Sequence, residues 1–87
     1  MIAFLHGELA SKDANRVVVD VSGVGYLLEI PPGSEHELPD VGSEVKFYTH
    51  YYIREKEVKL YGFWSLDELK VFTIAITVKG IGPALAL

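Results

Sequence analysis

Four residues near the end of the chain, Gly80-Ile81-Gly82-Pro83, are the best suited to hold an anion. Two glycines flanking one aliphatic residue permit a tight turn whose backbone N–H groups stay open on one side. Open amides of this kind suit a phosphate oxygen, and only glycine lets the backbone come that close. Pro83 stands where a second helix would begin, and the N-terminal end of that helix would add to the attraction. Lys79 precedes the turn and could add a charge-assisted contact. Ala84 opens the apolar run that follows the proline. The candidate phosphate hairpin therefore comprises Lys79, Gly80, Ile81, Gly82 and Ala84. A plain helix stop and restart uses the same residues, with Gly80 as C-cap and Pro83 as first helical residue. A clamp made of backbone amides reads no bases, so any selectivity would have to be geometric.

Arg54-Glu55-Lys56-Glu57 is a second candidate. Its simplest role is a solvated hairpin turn. Its sharper role is an acidic projection carrying Glu55 and Glu57, with Arg54 and Lys56 beside them. A carboxylate about 4 Å from a phosphate costs about 4 kcal/mol at an effective dielectric of about 20, and much less in open water. That is enough to steer a polyanion away from a point. Tyr48, His50 and Tyr52 alternate along one face of the preceding strand. Such aromatics stack on bases in single-strand binders, or form a second buried face or a subunit contact. His6, His36 and His50 are too scattered to argue for a metal site. Gly23-Val24-Gly25-Tyr26 lacks the downstream helix that a dinucleotide fingerprint needs. Neither a nucleophilic triad nor a P-loop occurs, so no catalysis and no cofactor are expected.

These residues need elements to carry them. Residues 2–9 read as a strand, and Asp13-Ala14-Asn15 as a turn. Residues 16–21 are β-branched, with Val17, Val19 and Val21 on one face and Arg16, Val18 and Asp20 on the other. Ser22-Gly23-Val24-Gly25 connects them to a return strand over residues 26–30. Pro31-Pro32-Gly33 ends it. Residues 34–38 fit one helical turn with Ser34 as N-cap and Glu37 three residues on. After the turn Pro39-Asp40-Val41-Gly42, residues 44–53 form a long strand with Val45, Phe47, Thr49, Tyr51 and Ile53 facing one way. Residues 58–63 return. This order predicts a mainly β fold, a small Greek-key barrel of the OB type over residues 1–64.

The apolar period then changes. Ser65 with Glu68 is a capping box, and Leu66, Leu69, Phe72 and Ile76 recur at helical spacing. A helix is predicted over residues 66–78, and residues 65–87 read as the start of a second domain built on a helix-hairpin-helix.

Composition sets the bounds. With 87 residues, 49% of them hydrophobic, the chain can build one small core. There is no cysteine, so disulfides and thiolate metal sites are ruled out, and a reducing cytoplasm is the expected setting. The N-terminus has no basic stretch of a signal peptide, and the apolar run from residue 71 is too short to span a membrane. The net charge of −4 argues against a general polyanion binder.

Met1-Ile2, Val21-Ser22-Gly23-Val24-Gly25-Tyr26, Tyr48-Thr49-His50, Arg54-Glu55, Leu60-Tyr61-Gly62-Phe63 and the segment from Gly80 to Leu87 fall in an order and spacing that resembles the bacterial RuvA family. The resemblance covers the whole chain. It implies an N-terminal OB barrel and a helix-hairpin-helix domain that bind four-way (Holliday) junction DNA by structure. It further implies a homotetrameric plate, a RuvB motor that hydrolyses ATP, and a RuvC resolvase. The subunit itself would be an accessory to branch migration in recombination and repair, with no ATPase of its own. By position, Glu55 matches the first acid of the family's central acidic pin. Lys56 stands where a second acid is common, and Glu57 follows. Gly80, Ile81 and Gly82 match a phosphate-binding hairpin, and Ala84 stands where a basic residue is frequent. The chain then corresponds to an N-terminal portion, with much of the basic surface expected beyond it. On the residues alone, a single-strand-binding OB module or an assembly module stays open.

Overall fold

The computed structural model describes residues 1–77 and 80–87. Five strands come first: β1 (Phe4–Lys12), β2 (Arg16–Val21), β3 (Val24–Glu29), β4 (Glu44–Arg54) and β5 (Glu57–Phe63). A 3-10 turn, Ser34–Glu37, separates β3 from β4. Helix α1 (Leu66–Thr77) and a single turn α2 (Pro83–Ala86) follow. The strands close into a barrel in the order β1-β2-β3-β5-β4. Neighbours are antiparallel except β3 and β5, which run parallel and meet at Glu29 and Tyr61. A closed five-stranded barrel followed by a helix is consistent with the predicted OB-type fold. The single turn α2 does not establish a helix-hairpin-helix.

Alternation decides which side chains fill the barrel. Val17 and Val19 point inward and are fully buried, whereas Arg16 faces solvent. On β4, Val45, Phe47 and Thr49 point inward. Leu38, just after the 3-10 turn, is buried in the same core. Thr49 is the one buried polar residue among those described. Its hydroxyl donates to the Ile2 carbonyl at 2.6 Å, and its amide donates to the Ala3 carbonyl at 3.0 Å. Both groups are therefore satisfied, and the N-terminal residues are tied to β4.

The return strand begins at Val24 and ends at Glu29, not over residues 26–30, so Ser22-Gly23 alone makes the turn. Two further expectations need correction. The first strand runs Phe4–Lys12 rather than over residues 2–9. It pairs with β4 from Phe4 to Glu8 and then with β2 out to Lys12, across an irregularity between Leu9 and Ser11. Gly7 lies at that change of partner, where any Cβ would strike the Asp20 carbonyl. The second correction concerns Ser34. The 3-10 turn is capped by Gly33 at φ 87°, with no side-chain cap bond. Gly33 adopts the left-handed region that glycine enters without a Cβ penalty, so the helical turn starts one residue earlier than a Ser34 cap requires.

The predicted capping box does form. The Glu68 amide donates to Ser65 Oγ at 3.3 Å, and the Ser65 hydroxyl donates to the Glu68 carboxylate at 3.2 Å. Helix α1 then lays Phe72, 2% exposed, on the outer face of β5 against Tyr61 and Phe63. Burying a phenylalanine this fully contributes about 2–3 kcal/mol. β5 thus serves two cores, with Leu60 facing the barrel interior and Tyr61 and Phe63 facing the helix. Between them, Gly62 gives room to Leu28, whose Cδ1 would lie 2.9 Å from an added Cβ.

Candidate nucleic-acid interface

The β4–β5 hairpin carries the predicted acidic tip. Arg54 pairs with Glu57, so Glu55 and Lys56 form a two-residue turn. Every residue from 53 to 59 is exposed, and the hairpin projects beyond the barrel. Its two faces differ. Ile53 and Val58 sit opposite one another on the side continuous with the barrel interior. Tyr52, Arg54, Glu57 and Lys59 occupy the other side.

The charges at the tip are not equivalent. Glu57 pairs with Lys59 at 3.2 Å. The Glu57 hydrogen bond, first among the causes, raises the Lys59 ammonium above the usual lysine range. Arg54 folds back, its guanidinium 4.2 Å from the Tyr52 ring centre and donating to the Ile53 carbonyl at 2.8 Å. Glu55 has no ion-pair partner among the described residues. Glu55 and Lys56 are thus the two tip charges without an ion-pair partner among the described residues, while Glu57 is paired with Lys59.

The root of the hairpin is fixed by aromatics. Tyr52 meets Tyr61 edge-on at 6.0 Å, Tyr61 lies 5.2 Å from Phe72, and His50 lies 5.5 Å from Phe72. Burial, and then the nearby Arg54 charge, push the His50 pKa below the ordinary histidine value. Burial likewise raises the Tyr61 phenol. Tyr52 and His50 thus belong to a packed face against α1, the structural alternative weighed for them from sequence. Tyr48 lies apart, on the open side next to Phe4 and Lys46.

At the other candidate, Gly80 adopts φ 69°, the left-handed conformation expected after a helix. The Ile81 amide donates to the Ala75 carbonyl at 3.1 Å. That amide is committed to ending α1 and does not face outward in this conformation. Gly82 is extended and precedes α2 as its N-cap, and its carbonyl accepts from Ala86 at 3.0 Å. Lys79 lies outside the described residues, and so does the Ala84 side chain. Ala86 and Leu87 return to pack on the Tyr61–Phe63–Phe72 cluster. The fold therefore joins the two candidate regions through one aromatic cluster, with the root of the β4–β5 hairpin on one side and α1 on the other.

Sequence reasoning passed over Phe4, Lys46 and Trp64. Phe4 and Trp64 are 53% and 41% exposed, and the Lys46 ammonium lies 4.5 Å from the Phe4 ring centre. Their positions in the chain are far apart, and only barrel closure brings them together.

The RuvA N-terminal domain model matches residues 1–62. The chain belongs to the RuvA N-terminal domain family. Its relatives include proteins named Holliday junction branch migration complex subunit RuvA. That of Chlorobaculum tepidum is 46% identical over 87 residues, covering 100% of this chain and 43% of the relative. That of Protochlamydia amoebophila is 47% identical over the same length, with the same coverage. That of Shewanella halifaxensis is 46% identical and covered over 42% of its length. The chain thus spans less than half the length of these RuvA relatives. Among the described residues no helix is long and apolar enough to cross a membrane, and no cluster suited to a metal occurs.

Proposed function

We propose that this chain is the barrel portion of a non-catalytic subunit that recognises four-way junction DNA by its shape and supports branch migration driven by a separate ATPase motor. The observation that carries this reading is the projecting hairpin of a RuvA-family barrel, with Glu55 unpaired at its tip. The Glu55 carboxylate would repel phosphate where the hairpin ends, with the neighbouring Lys56 ammonium reducing that repulsion. Residues 1–64 would form the barrel domain, and residues 65–87 would begin the domain that grips the backbone. Gly80 and Gly82, with Lys79, would contribute there, and the committed Ile81 amide would have to be released or do without. Four copies around the junction would bring four tips together, and RuvB and RuvC are the expected motor and resolvase. The cytoplasm is the expected setting.

The experiment is a chimera in which this chain replaces the matching segment of the Chlorobaculum tepidum relative. Gel-shift titration should show preference for a four-way junction over linear duplex of any sequence. Equal affinity for the two would overturn the reading.

A further inference from the structure

The outer face of β1 and β4 carries a second feature that the junction reading does not use. Phe4 and Tyr48 are direct cross-strand partners there, followed by His6 opposite Lys46 and Glu8 opposite Glu44. Trp64 closes one side, resting edge-on against Phe47 at 5.4 Å. A groove of about 410 Å³ runs between them, lined by His6, Glu44, Val45, Lys46, Tyr48 and Trp64. The Lys46 ammonium stands 4.5 Å from the Phe4 ring centre and 5.2 Å from that of Tyr48. No carboxylate of the described residues pairs with Lys46, whereas Glu44 is held by His6 at 2.6 Å.

We propose that this groove binds an unpaired nucleotide of single-stranded DNA, with its base on the aromatic rings and its phosphate at Lys46. Each part of the ligand answers a part of the groove. Aromatic rings at the surface offer a stacking platform that accepts any base. A cation already seated among those rings supplies the counter-charge for the adjoining phosphate. Glu8, beyond the other end of the groove and without an ion-pair partner among the described residues, disfavours a phosphate there. A paired base has both faces covered by its neighbours, so duplex offers nothing to stack. The overall charge of −4 leaves little general attraction for polyanions, and recognition then depends on the rings. Tyr52, the other tyrosine that sequence offered for stacking, is occupied by Tyr61 and Arg54. This inference stands apart from the junction reading, since it concerns a different face and a different form of DNA.

Trp64 is the only tryptophan of the chain, and it lines this groove, so its fluorescence reports on occupancy there. Titration of the 87-residue chain with oligothymidylate at low salt should quench the emission saturably. Duplex of equal length should not. Phe4→Ala should weaken the binding about tenfold. Lys46→Gln should lower the slope of log affinity against log salt by about 0.7, the share of one phosphate contact. Circular dichroism checks the fold of each variant, and Phe4→Leu removes the ring while keeping apolar bulk should Phe4→Ala unfold. Three results would overturn the proposal: no quenching, quenching indifferent to both substitutions, or emission that follows protein concentration alone together with a dimer in sedimentation. The last would assign the groove to a second copy of the chain. Junction affinity of the Glu55 variants is a separate measurement, so either reading can fail without the other.

Discussion

Ser22-Gly23 and Glu55-Lys56 each turn the chain in two residues, the first between β2 and β3, the second between β4 and β5. At the first, both residues have positive φ, 53° and 91°. That is the mirror-image turn whose twist matches the flanking strands. Asp20 adds a bond, its carboxylate accepting from the Gly23 amide at 2.7 Å. At the second, neither residue has positive φ. No side chain bonds across it among the described residues, and every neighbour from 53 to 59 is exposed. Loop length alone therefore says little. The acid of the first hairpin is used locally to close a turn, whereas Glu55 is left free. One hairpin stabilises the barrel, and the other gives up local bonds to present a charge.

The largest test of that contrast is Glu55→Gln. In the chimera it should tighten four-way junction binding about tenfold, a small part of the Coulomb cost at close range. Stability should stay within about 0.5 kcal/mol, as for an exposed substitution. Weaker binding with an unchanged urea midpoint would show that Glu55 positions DNA instead of repelling it. Gly23→Ala tests the other hairpin and should behave oppositely. It forces a side chain into positive φ, so stability should fall by about 1–2 kcal/mol while junction affinity holds. Asp20→Ala should cost about 1 kcal/mol by the same urea measurement, through the lost bond to Gly23. A smaller effect is expected of Glu57→Gln. Lys59 already offsets that charge, so junction binding should tighten by about twofold or less. A gain matching that of Glu55→Gln would erase the distinction between the two acids.

The smallest effect is a pH dependence at the root of the second hairpin. His50 has a lowered pKa in the fold, so the unfolded chain takes up its proton first as the pH falls. Stability should therefore decline from about pH 7 toward pH 5, and His50→Gln should flatten that decline. A slope unchanged by the substitution would place the titration elsewhere.

Much of the barrel was legible because alternation and turn chemistry are local. β2 begins and ends where the valines predict, and the Ser65–Glu68 box marks the start of α1. The Ser34 cap failed because the turn is entered at Gly33, with φ 87°, which makes Ser34 its first residue. The extension of β1 to Lys12 depends on its change of partner at Glu8, which only the closed barrel defines. At the candidate sites, residue type pointed to the tip, but the unequal standing of Glu55 and Glu57 depends on Lys59. The Ile81 amide looked open as part of a glycine turn, and its bond to Ala75 is a property of how α1 ends. Phe4, Lys46 and Trp64 carry no shared motif at all.

The aromatic root of the β4–β5 hairpin has a mechanical consequence. A sideways load on the tip would bend a hairpin whose exposed length is residues 53–59. Its clamp is the Tyr52–Tyr61–Phe72 stack. Close-packed side chains compress little. The stack therefore braces the hairpin root against α1 from outside the barrel.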